Sequence, residues 1–285
     1  MRKALSFVVV AAATAGVAIA GCGSPKTPKA AAFSPANCTP SKLKTHTAGI
    51  LTLATDSPAY TPYFVHNDPS NGKGFEGAVA YAIAKQLGYS KSKVKWVVEP
   101  FDSSYAPGPK SFDFDINEIS ITAPRQKAVD LSLPYYQDPQ GVIVSTTGPY
   151  AHAKSLAQLA SAKFGVQIGT TSLSAVQQYV KPKQQADIFN NSSDVVEAFK
   201  IKRVQAIVTD LATTEYLASS ELKHAVVVGK FNAPSGNNWG VLLGKGSSLL
   251  RCVNHAIQTL TSNGTLAALH SKWIPQDATI PFLKK

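Results

Sequence analysis

The chain has 285 residues, 44% of them hydrophobic and 16% charged, a composition typical of a globular protein. After the first 48 residues, enough length remains for one large domain or two smaller ones, each with its own core. The formal net charge is +11, but those 48 residues contribute six basic side chains and no acid, which leaves +5 for the rest. No dense Lys/Arg cluster is interleaved with aromatic side chains, so the composition argues against a nucleic-acid-binding protein.

The first 24 residues resemble the export and anchoring signal of a bacterial lipoprotein. Two basic residues precede an apolar and small-residue run from 4 to 20, and Ile19-Ala20-Gly21-Cys22 closes it. Residues 1–21 are therefore predicted to be a signal peptide. Cys22 would carry diacylglycerol and an acyl chain such as palmitate, holding the protein on the outer side of the cell membrane. The alternative is an ordinary secretory signal with a chance cysteine. A membrane-spanning anchor is less consistent, because the run falls slightly short of the ~20 residues that a bilayer requires.

Residues 22–48 are rich in Lys, Pro, Ala, Ser and Thr, which predicts a flexible tether suited to an anionic membrane surface. If Cys22 is acylated, Cys38 and Cys252 remain as a pair. Outside the cytoplasm they are predicted to form a disulfide between the N-terminal entry and a C-terminal helix, with two free thiols as the alternative. No Cys or His spacing suggests a metal site, so no metal is expected.

Beyond residue 48, strand-like and helix-like patterns alternate along the chain. Strands are predicted at 50–54, 94–98, 142–144, 164–168, 206–208 and 239–243, and helices at 75–87, 194–201, 249–260 and 265–273. This alternation predicts an α/β protein with mainly parallel sheets. Functional loops of such sheets lie beyond the carboxyl ends of the strands. Four segments meet that condition: after Ala54, around Ser120, after Ile168, and at Asp210.

Short motifs are spread over residues 49–274. They include Leu53-Ala54-Thr55-Asp56, Gly74-Phe75-Glu76-Gly77, Ser120-Ile121-Thr122-Ala123-Pro124-Arg125, Gly169-Thr170-Thr171 and Lys272-Trp273-Ile274. In order and spacing they resemble the extracytoplasmic solute-binding proteins of polar amino-acid importers, a family that includes the glutamine- and the lysine/arginine/ornithine-binding proteins. The resemblance implies a receptor that delivers an amino acid to an ABC permease and its ATPase. It also implies a monomer without catalytic residues or cofactor.

The same resemblance implies a two-lobed, type II periplasmic-binding-protein-like fold, in which each lobe is a mainly parallel sheet flanked by helices. Lobe 1 is expected at 49–137 and 238–285, and lobe 2 at 142–230. Two crossovers, 137–141 and 231–237, would form the hinge. The ligand would lie between the lobes and stabilise their closure by bridging them.

A free amino acid carries a carboxylate and an ammonium, and a site must replace the water around both. The resemblance implies that Arg125, Ser120 and Thr171 bind the α-carboxylate and that Asp210 binds the α-ammonium. A guanidinium can hold a carboxylate with two parallel hydrogen bonds, and Thr122 and Thr170 could add donors beside it. The alternatives are an Arg125–Asp130 ion pair at the surface and a helix-capping role for Asp210.

Ligand selectivity is assigned by the resemblance to positions that match side-chain contacts in the family. These are Asp56, Tyr60, Phe101, Asn117, Glu118 and Gln167. Glu118 departs from the family pattern, which usually has a small residue there. Together with Asp56 it would favour a cationic side chain, or an amide if one carboxylate faces away. Alternatively, Glu118 pairs with a nearby Lys or Arg or points into the hinge. The loop 103–110 is also unusual, and the sequence suggests no role for it.

Two other functions share this fold. A ligand-sensing subunit of a membrane receptor would use the same binding chemistry with a different partner. A periplasmic dehydratase could use Glu118 as a general acid. The absence of a Ser/His/Asp or Cys/His nucleophile arrangement in the sequence argues against an enzyme.

Overall fold

The computed structural model describes residues 33–234, 236–274 and 279–285. The predicted signal peptide, Cys22 and the first part of the predicted tether lie outside these residues. Within the described ranges, two β-sheets with flanking helices form two lobes. No helix in these ranges combines the length and the apolar character needed to cross a bilayer.

The strands follow one another through both lobes. In chain order they are β1 Leu51–Thr55, β2 Val94–Val98, β3 Phe114–Asp115, β4 Asp130–Gln137, β5 Gln140–Ser145, β6 Phe164–Gln167, β7 Asp187–Phe189, β8 Ala206–Asp210, β9 Ala225–Phe231 and β10 Asn238–Leu243. The α-helices are α1 Phe75–Gln86, α2 Phe101–Ser104, α3 Ala123–Ala128, α4 Leu156–Leu159, α5 Thr171–Ala175, α6 Ser192–Lys200, α7 Leu211–Tyr216, α8 Leu250–Ser262 and α9 Thr265–Trp273. Single π-helical turns, Val176–Val180 and Leu217–Glu221, continue α5 and α7.

The first sheet has the order β2-β1-β3-β10-β4 and the second has the order β7-β6-β8-β5-β9. In the first sheet β10 runs antiparallel to both neighbours, and in the second sheet β5 does so. Each of these strands comes directly after the chain crosses from the other sheet. It therefore begins beside the carboxyl ends of the other strands and runs antiparallel to them. The predicted sheets are thus confirmed as parallel in their majority direction, although each is mixed.

The chain crosses between the sheets from Gln137 to Gln140 and from Phe231 to Asn238, within or beside the segments predicted as the hinge. The last residues of the chain come back to the second lobe. Phe282 bridges to Lys230, Lys284 bridges to Ser155, and Leu283 is buried in the core of the second sheet. The assignment of 238–285 to lobe 1 therefore needs correction at its end.

This return depends on a glycine in β9. A Cβ atom at Gly229 would lie 2.6 Å from the side chain of Leu283, so the missing side chain makes room for the C-terminal residues. The sequence pattern does not indicate this contact, because the two residues are far apart along the chain.

Cys38 and Cys252 form a disulfide with a Cα–Cα distance of 5.4 Å, which confirms the predicted pairing. The bond fixes the N-terminal entry to α8, and Phe33 packs edge-on against His255 of the same helix. The backbone N–H of His46 donates to Asp113 at 2.6 Å. Residues 33–48 are therefore packed on lobe 1, and the predicted tether is too long at this end.

The disulfide is expected to contribute about 2–4 kcal/mol to the free energy of unfolding. The physical reason is its sequence separation of 214 residues, which restricts the unfolded chain strongly. Urea unfolding of a C38S/C252S variant should show this loss. Reduced wild-type protein serves as the matched control and should unfold at the same denaturant concentration as the variant. An unchanged midpoint in both samples would contradict the expectation.

Candidate functional site

The cleft between the lobes lies where strands of both sheets end. Asp56 follows β1, Gln167 is the last residue of β6, and Asp210 is the last residue of β8. The segment after β3 supplies residues 116–120 from the first sheet. Because the carboxyl ends of these strands face one another, loops from distant parts of the chain meet in one cavity.

The cavity leaves about 50 Å³ for the centres of water-sized molecules, and it opens to solvent at its mouth. It is lined by Asp56, Pro58, Ala59, Tyr60, Phe64, Phe101, Asn117, Glu118, Ser120, Gln167, Thr170, Thr171, Ser172, Ser192, Thr209, Asp210 and Thr213. These residues include every predicted ligand contact except Thr122 and Arg125. Several small and hydroxyl-bearing lining residues were not predicted from the sequence. Ser172 and Thr209 could have been predicted, because each is next to a predicted site residue in the sequence.

Arg125 lies behind the cavity wall and is buried, with 7% of its surface exposed. Its two terminal nitrogens donate to the carbonyl of Ser120 at 2.9 Å and to the carbonyl of Gly169 at 3.0 Å. One acceptor belongs to each lobe. Burial lowers the pKa of the guanidinium, but Arg remains charged in proteins. The alternative surface pair with Asp130 is not formed, because Asp130 binds Lys245 at 3.3 Å.

The hydroxyl groups around Arg125 either meet across the cleft or cap helices. The hydroxyl oxygens of Ser120 and Thr171 lie 3.2 Å apart across the cleft. Thr170 caps α5 by accepting from the backbone N–H of Leu173 at 3.1 Å. Thr122 caps α3 by accepting from the N–H of Arg125 at 3.3 Å, and so it helps to fix the position of Arg125.

Asp210 is the N-cap residue immediately before α7, but its side chain does not cap the helix. One of its oxygens accepts from the amide of Gln140 at 2.6 Å, and it shares a further hydrogen bond with Glu118. The carboxylate of Asp138 instead accepts from the backbone N–H of Ala212 at 3.2 Å. The capping alternative therefore does not describe Asp210, whose carboxyl lines the cavity.

Glu118 also lines the cavity, in a left-handed backbone conformation with φ of +52°. Its N–H donates to Glu76 at 2.7 Å, and its carboxyl accepts from the hydroxyl of Thr213 at 3.0 Å. No Lys or Arg pairs with it among the described residues. Burial raises its pKa well above the usual range, and the neighbouring Asp210 and Glu76 raise it further.

Two further predicted side-chain contacts, Asp56 and Phe101, are held by the second lobe and by Arg125. Asp56 accepts from the side chain of Gln167, and burial raises the pKa of Asp56. Gln167 in turn accepts from Ser192 at 2.7 Å. The ring of Phe101 lies 5.2 Å from the Arg125 guanidinium, so it contacts the protein's own cation as well as the cavity.

Two carboxyl groups that line the cavity, Glu118 and Asp210, belong to a cluster of five with the buried Glu76, Asp115 and Asp138. Burial raises the pKa of each, and it brings Glu76 and Asp210 to about 7. Closely spaced buried carboxyls cannot all be ionised, so this carboxyl cluster holds protons at neutral pH. Glu76 was visible in a motif, but nothing in the sequence indicated that the other acids lie beside it.

The sequence pattern of the bacterial extracellular solute-binding proteins, family 3, matches residues 51–276, and the chain belongs to this family. The L-cystine-binding protein TcyJ of Escherichia coli (strain K12) is 30% identical over 227 residues, covering 77% of this chain and 81% of its own. An ancestral arginine-binding protein bound to glutamine superposes with a TM-score of 0.69 at 32% identity, covering 80% of this chain and 99% of its own. The ancestral amino acid-binding protein AncCDT-1, a precursor of cyclohexadienyl dehydratase, superposes with a TM-score of 0.65 at 29% identity. The match covers 80% of this chain and 96% of the ancestral protein.

Proposed function

We propose that the protein is an extracytoplasmic receptor that binds one polar amino acid between its lobes and passes it to an ABC importer. The observation that carries this proposal is the placement of opposite charges at a single cavity. A buried guanidinium, Arg125, lies behind the Ser120 and Thr171 wall, and the carboxyl of Asp210 lines the same cavity. A free amino acid has this pair of charges on one carbon atom.

The two charges act on the ligand in different ways. The guanidinium has five N–H donors, so bonds to two carbonyls do not exhaust it. It would hold the α-carboxylate together with the Ser120 and Thr171 hydroxyls. Asp210 would accept from the α-ammonium. Because Ser120 belongs to lobe 1 and Asp210 to lobe 2, the ligand would bridge the lobes and favour their closed arrangement.

The ligand side chain is proposed to be cationic or an amide. Glu118 and Asp56 both line the cavity and neither has a described Lys or Arg partner. A cation bound between them would favour the ionised form of both groups, whereas the side chain of glutamate or aspartate would not. The proteins named above bind cystine, arginine and glutamine; arginine is cationic, glutamine has an amide side chain, and cystine ends in a second ammonium and a second carboxylate.

Membrane attachment through a lipidated Cys22 is proposed from the N-terminal sequence. A tether would keep the receptor close to its permease and raise the effective concentration of their encounter. The ATPase of the importer would then drive uptake, with the receptor acting as a monomer. A globomycin-sensitive mass shift of the exported protein would test the lipid anchor.

We further infer that the protein does no chemistry on its ligand. In a dehydratase Glu118 would be the general acid, since it lines the cavity and burial raises its pKa well above the usual range. Yet its proton is shared with Asp210, which is the proposed ammonium partner. Recovery of the bound amino acid unchanged by mass spectrometry supports a receptor, and a dehydrated product supports the enzyme.

A thermal-shift panel of the twenty amino acids, ornithine and cystine is the main test. Arginine, lysine, ornithine, histidine, glutamine or cystine should raise the melting temperature more than glutamate or aspartate does. Glu118→Gln should weaken cationic ligands about tenfold relative to glutamine, because a bound cation would favour the ionised form of Glu118, which the amide cannot adopt. Asp102→Asn, outside the cavity lining, is the matched control and should leave the order unchanged. A larger shift with glutamate would overturn the ligand class.

A further inference from the structure

The loop 103–110 carries a tyrosine that contacts both lobes. Tyr105 follows α2 in lobe 1, and its ring centroid lies 4.7 Å from the Arg125 guanidinium. The ring of Phe101 lies 5.2 Å from the same guanidinium, and the two rings meet at 77°. The two rings therefore pack against the guanidinium from two directions. Cations are attracted to aromatic faces, and more strongly where water is excluded.

The hydroxyl of Tyr105 reaches the second lobe. It donates to the carbonyl of Gly169 at 3.3 Å. The same carbonyl accepts from Arg125 at 3.0 Å. One carbonyl of lobe 2 thus receives hydrogen bonds from two neighbouring side chains of lobe 1.

Two features of Gly169 allow this contact. Its φ of +71° lies in the left-handed region, which glycine adopts at little cost. A Cβ atom at this position would also lie 1.8 Å from the Tyr105 hydroxyl. Any side chain here would push Tyr105 away and prevent the turn from approaching lobe 1.

The loop that supplies Tyr105 is internally braced. Lys110 donates to the carbonyl of Ala106 at 2.6 Å and to the carbonyl of Ser103 at 3.3 Å. These bonds join the two ends of the loop, so its tyrosine is presented from a closed turn.

From these contacts we propose that Tyr105 is an interlobe latch and a positioning residue for Arg125, one that slows the opening of the closed cleft and the release of the ligand. The claim about ligand release rests on the proposed function. The claim about cleft opening rests on the interlobe contact alone. The ring of Tyr105 orients the guanidinium, and its hydroxyl links lobe 1 to the turn before α5. The unusual loop thereby gains a role in retention of the ligand.

The test compares Tyr105→Phe with Tyr105→Ala, using arginine as the probe in stopped-flow fluorescence. Tyr105→Phe keeps the ring on Arg125 and removes the interlobe hydrogen bond, so dissociation should become about three- to tenfold faster with association unchanged. Tyr105→Ala also removes the ring, so the affinity should fall further. Tyr150→Phe, outside the cavity lining, is the matched control.

A second readout needs no ligand. Amide hydrogen exchange of residues 168–173 should be about three- to tenfold faster in Tyr105→Phe than in the wild type and in the control. If the wild type binds no amino acid while this exchange difference is present, the proposed function fails and the latch stands. If the wild type binds arginine but Tyr105→Phe matches it in both dissociation and exchange, the latch is overturned.

A double variant tests the contact itself. Gly169→Ala should weaken arginine binding strongly, because its methyl group collides with the Tyr105 hydroxyl. Removing that hydroxyl in G169A/Y105F should restore part of the affinity, which a purely local strain at residue 169 would not allow. A double variant no tighter than Gly169→Ala contradicts direct contact.

Discussion

Arg125→Ala is expected to lose binding of every amino acid, by at least about thirtyfold. Truncating one partner of a buried, hydrogen-bonded charge pair costs about 2–5 kcal/mol, and Arg125 is the guanidinium proposed for the carboxylate that all amino acids share. Arg125→Lys keeps the charge but loses the planar fork, so it should lie between the alanine variant and the wild type. Isothermal titration calorimetry of the three proteins measures the effect.

The control for this prediction separates binding from folding. The wild-type guanidinium also bonds Gly169, so Arg125→Ala should loosen the cleft without unfolding either lobe. Far-UV circular dichroism and the thermal transition should confirm a folded variant. A folded Arg125→Ala protein that binds within threefold of the wild type would show that the carboxylate lies elsewhere.

Affinity for the ligand is expected to rise by about tenfold between pH 6 and pH 8. Burial raises the pKa of Asp210 from 3.8 to about 7, and the group must be ionised to accept from the ligand ammonium. Below that pKa, each pH unit lowers the ionised fraction about tenfold, and above it the fraction is nearly constant. Titration calorimetry in buffers of different ionisation enthalpy should also detect proton release on binding.

Other charged groups face Asp210, and they set the controls for this pH dependence. Glu118 shares its proton, Glu76 and Asp138 lie in the same carboxyl cluster, and Arg125 is the nearby cation. Asp210→Asn should bind more weakly at pH 8 and show a flatter pH profile. A wild-type affinity that is constant from pH 6 to 8, without proton release, would contradict an ammonium role for a protonatable Asp210.

The carboxyl cluster has the opposite effect on the stability of the protein measured without ligand. A carboxyl whose pKa is raised by folding binds its proton more tightly in the folded state than in the unfolded chain. The free energy of unfolding therefore falls as the pH rises from about 4 towards 7, the interval between the two pKa values of Asp210 and of Glu76. Ligand affinity thus increases over a pH range in which the receptor itself becomes less stable.

Much of the architecture was predictable because it is encoded locally. β1 is buried at every position, as a strand paired on both sides requires, and the alternation of strands and helices defined the α/β class. The disulfide was predictable because three cysteines in a lipoprotein-like chain leave one pair. The strand ends also located the cavity, since parallel strands present their carboxyl ends to one edge.

The remaining features depend on contacts between distant residues. Glu118 looked like a lone substitution, yet it bonds Glu76 and Thr213, which lie 42 and 95 residues away. The capping of α7 by Asp138 and the reach of Tyr105 to Gly169 are likewise contacts across the hinge or the cleft. Hydrophobic periodicity carries no information about such pairs, so the carboxyl cluster and the latch emerge only with the fold.

The return of the last residues to β9 places the two ends of the described chain on different lobes. Phe33 lies against α8 of lobe 1, whereas Leu283 is buried in lobe 2. If the N-terminal side is fixed to a membrane, lobe 1 is the stationary part and lobe 2 is the one that swings. Fluorescent proteins fused at the two ends would then change their energy transfer with each closure, which makes this chain a ready scaffold for an amino-acid biosensor.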